Sequence, residues 1–140
     1  MTRAFVPDAS VAVAWVHPAQ ATAETAAMLE GLADGTTLAV PVIWPMEVAN
    51  ALLVLVRRRK LADDQRCAAL GWLSKLPVVV DHEGAALAFG TLSDLASAHG
   101  LSVYDAAYLE LAMRRRLPLG CKDGPLRQTA RRAGLALWRA

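Results

Sequence analysis

Four acidic residues are the main candidates for chemistry, because each begins an apparent helix: Asp8, Glu47, Asp105 and Asp123. Asp8 and Asp123 also directly follow apparent strands. Three of the four stand in apolar surroundings, where burying an unpaired carboxylate is costly. Carboxylates that converge repel one another, and a divalent cation relieves that repulsion. Oxygen ligands without a Cys or His set favour Mg²⁺ or Mn²⁺, and such a site suits phosphodiester hydrolysis.

Each acid also has a structural interpretation, and the residues alone leave both open. Asp8 can cap the helix that starts at the next residue, and Glu47 can complement a helix dipole. Asp123 fits a turn in the segment "KDGP". Ser102 and Asp105 fit a capping box in "SVYD", with Ser102 as the N-cap.

Two polar residues accompany the acids at short spacing. Asn50 lies one helical turn beyond Glu47, so both share a helix face, and Ser10 lies two residues beyond Asp8. Either could orient a ligand or a metal-bound water. The alternatives are an amide bonded to the backbone in the core and a hydroxyl at a helix start.

The elements that must position these residues alternate between strands and helices. Short apolar runs predict five strands: "RAFVP", "TLAV", "PVVV", "PLGC" and "LALW". Longer patterns predict helices, among them "AQATAETAAMLEGLADG", "DDQRCAALGWLSKL" with Asp63 or Asp64 as cap, and "EGAALAFGTLSDLASAHG" closed by Gly100. This alternation predicts an α/β fold with a parallel sheet covered by helices on both faces. Ligands of such sheets bind beyond the carboxyl ends of the strands, near a topological switch point.

Composition predicts a single folded domain over residues 1–140. Hydrophobic residues make up 55% of the chain and the mean hydropathy is +0.31, which argues against disorder. Pro7 and Asp8 interrupt the first apolar stretch, which argues against a signal peptide. No apolar run has the length of a membrane span. We therefore expect a cytoplasmic protein with no membrane partner.

The net charge of +2 is unevenly distributed along the chain. Residues 57–60 are all basic, and residues 113–140 hold eight basic residues and one acid. Both arginine runs fall at the ends of apparent helices, where cations are favoured, so we expect solvated helix ends. The asymmetry is also compatible with a polyanionic partner.

Four segments together resemble PIN-domain ribonucleases, and most closely the VapC toxins of bacterial toxin–antitoxin modules. They are "FVPDASVAVAW", "PVIWPMEVANALL", "HGLSVYDAAYLELA" and "LGCKDGPLRQTARRAGL", which hold the four acids in order. The resemblance implies a three-layer α/β/α sandwich with a short-stranded, mainly parallel central sheet. It further implies an RNA endonuclease that binds Mg²⁺ or Mn²⁺, a homodimer, and a small antitoxin whose tail occupies the active-site groove.

The resemblance also implies roles for individual residues. The catalytic and metal-binding set would be Asp8, Glu47, Asp105 and Asp123, and Ser10 and Asn50 would support it. One position departs from the family pattern: Cys121 stands where VapC-like proteins usually have Thr or Ser, two residues before the last acid. Lys122 lies between them, and we expect it to face solvent rather than a phosphate.

Two other functions remain open from the sequence. A phosphoacceptor receiver domain has a similar length and also places acids and a Lys at strand ends, although an acidic pair after the first strand is missing here. A PIN-like interaction module without catalysis is the other, and the presence of all four acids gives it little support.

Overall fold

The computed structural model describes residues 3–122 and 124–140, and its centre is a parallel sheet. Its strands, in the spatial order β3-β2-β1-β4, are β1 (Ala4–Pro7), β2 (Thr37–Pro41), β3 (Val78–Asp81) and β4 (Leu119–Gly120). All three pairings are parallel. The predicted parallel sheet is therefore confirmed, and its strands are as short as the apolar runs that predicted them.

Seven α-helices surround the sheet in the part of the chain that the structure describes. They are α1 (Ala9–Val16), α2 (Ala23–Gly31), α3 (Trp44–Arg57), α4 (Asp63–Leu73), α5 (Ser93–His99), α6 (Val103–Arg115) and α7 (Pro125–Arg132). Short 3₁₀ turns cover Pro18–Gln20, Leu32–Asp34 and Gly84–Leu87, and a π-helical turn covers Ala88–Leu92. The architecture is the predicted α/β/α sandwich.

Two predicted helices are interrupted. The helix expected directly after Pro18 starts only at Ala23, because Thr22 and Thr25 exchange side-chain-to-backbone hydrogen bonds and so fix a capped start there. The predicted helix over residues 83–100 is a 3₁₀ turn, a π-helical turn and α5 in succession. Its predicted end is confirmed, since Gly100 closes α5 in the left-handed conformation.

Two further boundaries differ from prediction. The N-cap of α4 is Ala62, whose N–H donates to the Gln65 side chain, rather than Asp63 or Asp64. The predicted last strand "LALW" is reduced to one parallel bridge between Leu119 and Leu137. β4 itself has only two residues, so it offers its outer neighbour little length for pairing.

The core lies on both faces of β1 and β2. Phe5, Val6, Leu38 and Val40 are at most 1% exposed. Gly120 on β4 allows this close packing, since a Cβ there would meet the Phe5 ring at 3.1 Å. The buried strands fix where β1 and β4 end, and therefore where the acids that follow them begin.

The arginines at the end of α6 are not simply solvated. Arg114 makes ion pairs with Asp81, Glu83 and Glu110, at 2.7, 2.7 and 2.6 Å, and Arg115 also contacts Asp81 at 2.9 Å. Asp81 is only 1% exposed and also accepts from the N–H of Gly84. These bonds tie α6 to the end of β3. No helix in the described ranges is long and apolar enough to cross a membrane.

Candidate active site

Asp8 lies at the point where the order of the strands in the sheet reverses. β1 is central, with β2 on one side and β4 on the other, so the carboxyl ends of β1 and β4 flank the topological switch point. The N–H of Asp8 donates to the carbonyl of Gly120 at 2.9 Å and closes this junction. The carboxyl ends of these two strands are where the sequence analysis expects a ligand to bind.

Asp8 is both a helix cap and a cavity residue. Its Oδ1 accepts from the N–H of Val11 at 3.2 Å, which caps α1, and from the hydroxyl of Ser10 at 2.6 Å. Burial raises the pKa of Asp8 to about 6, against the lowering effect of these two bonds, and the charges of Asp105 and Glu47 raise it further. The structural interpretation of Asp8, as the cap of α1, is therefore confirmed, and its role in the chemistry stays a prediction.

Asp105 lies in the first turn of α6 and is not the second half of a capping box. The Oγ of Ser102 accepts from the N–H of Asp105 at 3.0 Å, so Ser102 caps the helix as predicted. The reciprocal bond from the Ser102 N–H to the Asp105 carboxylate does not occur in this described turn. Burial raises the pKa of the Asp105 carboxyl. Asp105 lines the cavity that is described below, where its carboxylate oxygens can meet a ligand.

Glu47 lies in the first turn of α3 and is held by a residue that the sequence analysis missed. The hydroxyl of Tyr108 on α6 donates to Oε1 of Glu47 at 2.6 Å. Tyr108 is 1% exposed, and burial raises the pKa of its phenol, so it remains a donor. The available signal was its spacing, since Tyr108 lies three residues beyond Asp105 and shares its helix face.

A cavity of about 340 Å³ opens at this point, lined by Asp8, Ser10, Asp105, Lys122, Gly124, Pro125 and Leu126. Three of the lining residues, Asp8, Ser10 and Asp105, have side-chain oxygen atoms. Oxygen is the donor type that suits Mg²⁺ or Mn²⁺. The described residues contain no group of three His, Cys, Asp or Glu side chains placed to hold a metal ion. Asp123 lies outside the described residues.

The sequence analysis also singled out Asn50, Cys121 and Lys122. Asn50 is exposed on α3 and is absent from the described lining of the cavity. Cys121 is 1% exposed, and its pKa is raised to about 12 by burial and by the charge of Asp8, so it is a neutral thiol near neutral pH. Lys122 does not face solvent freely as expected, because its ammonium donates to the carbonyl of Gln20 at 2.9 Å.

A family model decides the relationship: the PIN domain model matches residues 5–132. The chain belongs to the PIN domain family. This agrees with the resemblance that the four acid-containing segments indicate. No curated protein matches the chain.

Solved structures share the fold of this PIN domain. PAE2754 from Pyrobaculum aerophilum is 23% identical, with a TM-score of 0.65 over 89% of this chain and 77% of that one. VapBC2 from Rickettsia felis, solved bound to a DNA fragment from their promoter, is 17% identical, with a TM-score of 0.67 over 96% and 97%. FitAcB from Neisseria gonorrhoeae is 16% identical, with a TM-score of 0.65 over 96% of both chains.

The strand order argues against the receiver hypothesis. Receiver domains have the flavodoxin-like order 2-1-3-4-5, in which β1 and β3 are neighbours. In this PIN domain β2 lies between β1 and β3. The sheet therefore does not have the strand order of a receiver domain.

Proposed function

We propose that this PIN domain is a metal-dependent endoribonuclease that acts as the toxin of a toxin–antitoxin pair. The observation that carries the proposal is the placement of Asp8 and Asp105 on one cavity at the switch point of the sheet. Glu47 lies near enough for its charge to raise the pKa of Asp8. Acids held close together without a cation are a destabilising arrangement that a divalent ion would relieve.

The metal ligands would come from the four acids, Asp8, Glu47, Asp105 and Asp123. Mg²⁺ is the expected ion and Mn²⁺ its substitute, because the donors are hard oxygens and no Cys or His set competes. The metal would supply Lewis-acid polarisation of a phosphoryl oxygen. Ser10 would hold the Asp8 carboxylate in place, and Asn50 is proposed to support the Glu47 side of the site.

The surroundings of the cavity favour an anionic substrate. The N-terminal residues of α1, α6 and α7 lie at the cavity or beside it, and helix N-termini carry partial positive charge. A phosphodiester entering the cavity would therefore meet carboxylates, on which a metal would bind, and the first residues of helices. RNA is the substrate class that we propose.

An antitoxin protein is the proposed partner. Support comes from the shared fold with VapBC2 and FitAcB, and from the VapC resemblance of the acid-containing segments. We also propose a homodimer in the cytoplasm, built from one PIN domain per chain over residues 1–140. Both expectations follow from the resemblance and are testable by light scattering and by fractionation.

Mn²⁺ titration by calorimetry tests the metal site. We expect wild type to bind Mn²⁺, Asp105→Asn to bind it much more weakly, and both to give cooperative melting curves. Ser102→Ala is the matched control, since it removes the cap of the same helix turn and leaves the carboxylate. If wild type does not bind Mn²⁺, or if Ser102→Ala loses as much affinity as Asp105→Asn, the metal-site proposal is wrong.

RNA cleavage tests the activity. Structured and single-stranded RNAs incubated with wild type and Mg²⁺ or Mn²⁺ should be cut internally, and cleavage should stop in EDTA and in Asp8→Asn. A folded wild type that binds Mn²⁺ yet cuts no RNA would favour the interaction module without catalysis. Equal cleavage by wild type and Asp8→Asn would place the activity elsewhere.

A further inference from the structure

Lys122 is the one basic residue among the described residues that line the acid-containing cavity. It shares that cavity with Asp8, Ser10 and Asp105, yet it forms no ion pair with an acid in the described ranges. Its ammonium instead donates to the main-chain carbonyl of Gln20 at 2.9 Å. The side chain is therefore held by a neutral partner, and no acid among the described residues forms an ion pair with its ammonium.

The chemistry of the ammonium leaves it able to bind an anion. A lysine ammonium has three N–H donors, and the Gln20 carbonyl takes one of them. The contact to Gln20, at the end of the Pro18–Gln20 turn, holds the half-buried side chain close to the cavity. Among the described residues no side chain takes the other two donors, so they can bind oxygens that enter from the cavity. Charge-assisted bonds of this kind, from ammonium to phosphate, are the strong class of hydrogen bond.

We propose that Lys122 binds the substrate phosphate at the acid-containing cavity and so contributes to substrate affinity and turnover. This inference rests on the proposed ribonuclease function. A phosphodiester at Asp8 and Asp105 would bring negative charge to a site that is already acidic. A bound metal would compensate the carboxylates on one side, and Lys122 would compensate the phosphate oxygens on the other.

Two substitutions separate the charge of Lys122 from its bond to Gln20. Lys122→Gln keeps an N–H donor for the Gln20 carbonyl and removes the charge, and Lys122→Arg keeps the charge. Lys75→Gln is the matched control, because Lys75 is exposed in the turn that leads into the amino end of β3, at the opposite edge of the sheet. Steady-state cleavage of a fluorogenic single-stranded RNA is measured with Mg²⁺ at a series of NaCl concentrations.

We expect Lys122→Gln to lower kcat/KM by roughly 10- to 100-fold, because a hydrogen bond to a charged group is lost. The slope of log kcat/KM against log salt should also become shallower by about 0.7, the value for one lost phosphate contact on a single strand. Mn²⁺ affinity and melting temperature should stay close to wild type. Lys122→Arg and Lys75→Gln should keep the wild-type slope.

The outcomes distinguish this inference from the function on which it rests. If wild type cuts RNA and Asp8→Asn does not, while Lys122→Gln keeps the wild-type kcat/KM and salt slope, Lys122 is only a tether to Gln20 and the inference is overturned alone. A Lys122→Arg variant with the shallow slope of Lys122→Gln overturns it as well. If wild type cuts no RNA, the proposed function falls and the Lys122 inference falls with it.

Discussion

The hydroxyl of Tyr108 donates a 2.6 Å hydrogen bond to Oε1 of Glu47, which joins α6 to the first turn of α3. The two residues are 61 positions apart in the chain. Their bond therefore depends on how the two helices pack rather than on local sequence. It leaves Glu47 oriented by a buried phenol that stays protonated, and the charge of Glu47 is near enough to raise the pKa of Asp8.

Tyr108→Phe should reduce cleavage more than it reduces stability. The ring remains to fill its buried position, so the lost hydrogen bond should lower the free energy of unfolding by about 1 kcal/mol. Glu47 would lose the partner that orients it, and loss of such supporting bonds at metal sites typically costs about 10- to 100-fold in affinity or activity. Urea unfolding and kcat/KM measured on the same samples check both parts.

Tyr104→Phe provides the control, since Tyr104 lies one turn earlier on α6 with an exposed phenol. It should leave both quantities near wild type. If Tyr108→Phe retains full activity, the orientation of Glu47 does not matter for cleavage.

Sequence patterns predicted the sheet and the helices at whose starts the candidate acids lie. Apolar runs of four or five residues marked four of the strands, because a strand buried on both faces cannot alternate polar and apolar residues. The acids after β1 and in the first turns of α3 and α6 followed from helix-start patterns. Asp8 and Asp105 line one cavity because β1 ends close to where α6 begins, and this neighbourhood was not predicted from the sequence.

Contacts between residues far apart in the chain could not be predicted from sequence patterns. The spacing in "SVYDAAYLELA" places Tyr108 on the helix face of Asp105, but nothing local identifies Glu47 as the partner of its phenol. The ammonium of Lys122 finds the Gln20 carbonyl 102 residues away, and the arginines of α6 find Asp81 more than 30 residues away. No sequence signal marks the π-helical turn over Ala88–Leu92 either, since its residues continue an ordinary helical pattern.

Two substitutions should distinguish the effect of the helix cap at the start of α6 from the effect of the carboxylate there. Ser102→Ala removes the acceptor for the Asp105 N–H and should destabilise the fold by about 1 kcal/mol. Asp105→Asn removes a carboxylate whose pKa is raised by burial, so the metal-free protein should be as stable as wild type or more stable. Thermal melting in EDTA compares the two. A large loss of melting temperature in Asp105→Asn would instead assign that residue to capping.

The Arg114 network should be structural rather than catalytic. Arg114→Met leaves Asp81 and Glu110, which are 1% and 7% exposed, with fewer or no cationic partners. Removing one partner from a buried ion pair typically costs about 3–5 kcal/mol, and the remaining Arg115 contact should keep the loss near the lower end. Chemical denaturation measures it. Arg57→Met, at the exposed end of α3, should change stability little, and an equally small loss in Arg114→Met would contradict the network's role.

The same network gives stability a dependence on acidic pH. The hydrogen bond from Arg114 is the largest of the effects that lower the pKa of Asp81 below its usual value. A lowered native pKa means that the unfolded state binds more protons below pH 4, so stability should fall as pH drops through that range. Arg114→Met should flatten this dependence. Denaturation midpoints between about pH 3 and pH 6 compare the variant with wild type.

Asp8 should produce the opposite pH dependence in the metal-free protein. Its native pKa is about 6 and its ordinary value is 3.8, so the native state binds more protons between these values. Stability should therefore decrease as pH rises from about 4 to 6, and the loss should persist above pH 6. The two-unit difference corresponds to at most about 3 kcal/mol. Asp8→Asn keeps an Oδ1 acceptor for Ser10 and Val11 but carries no charge.

Asp8→Asn should thus be more stable than wild type at pH 7.5 in EDTA. The difference in stability should be small near pH 4, where wild-type Asp8 is also neutral. Urea unfolding at the two pH values measures the difference. Asp34→Asn, which changes an exposed carboxylate, should show no such pH-dependent gain. Saturating Mn²⁺ should reverse the order at pH 7.5, because the wild type alone would gain stability from binding. An Asp8→Asn protein that is less stable than wild type at both pH values would mean that the charged carboxylate is needed as the cap of α1, and that its burial carries no penalty.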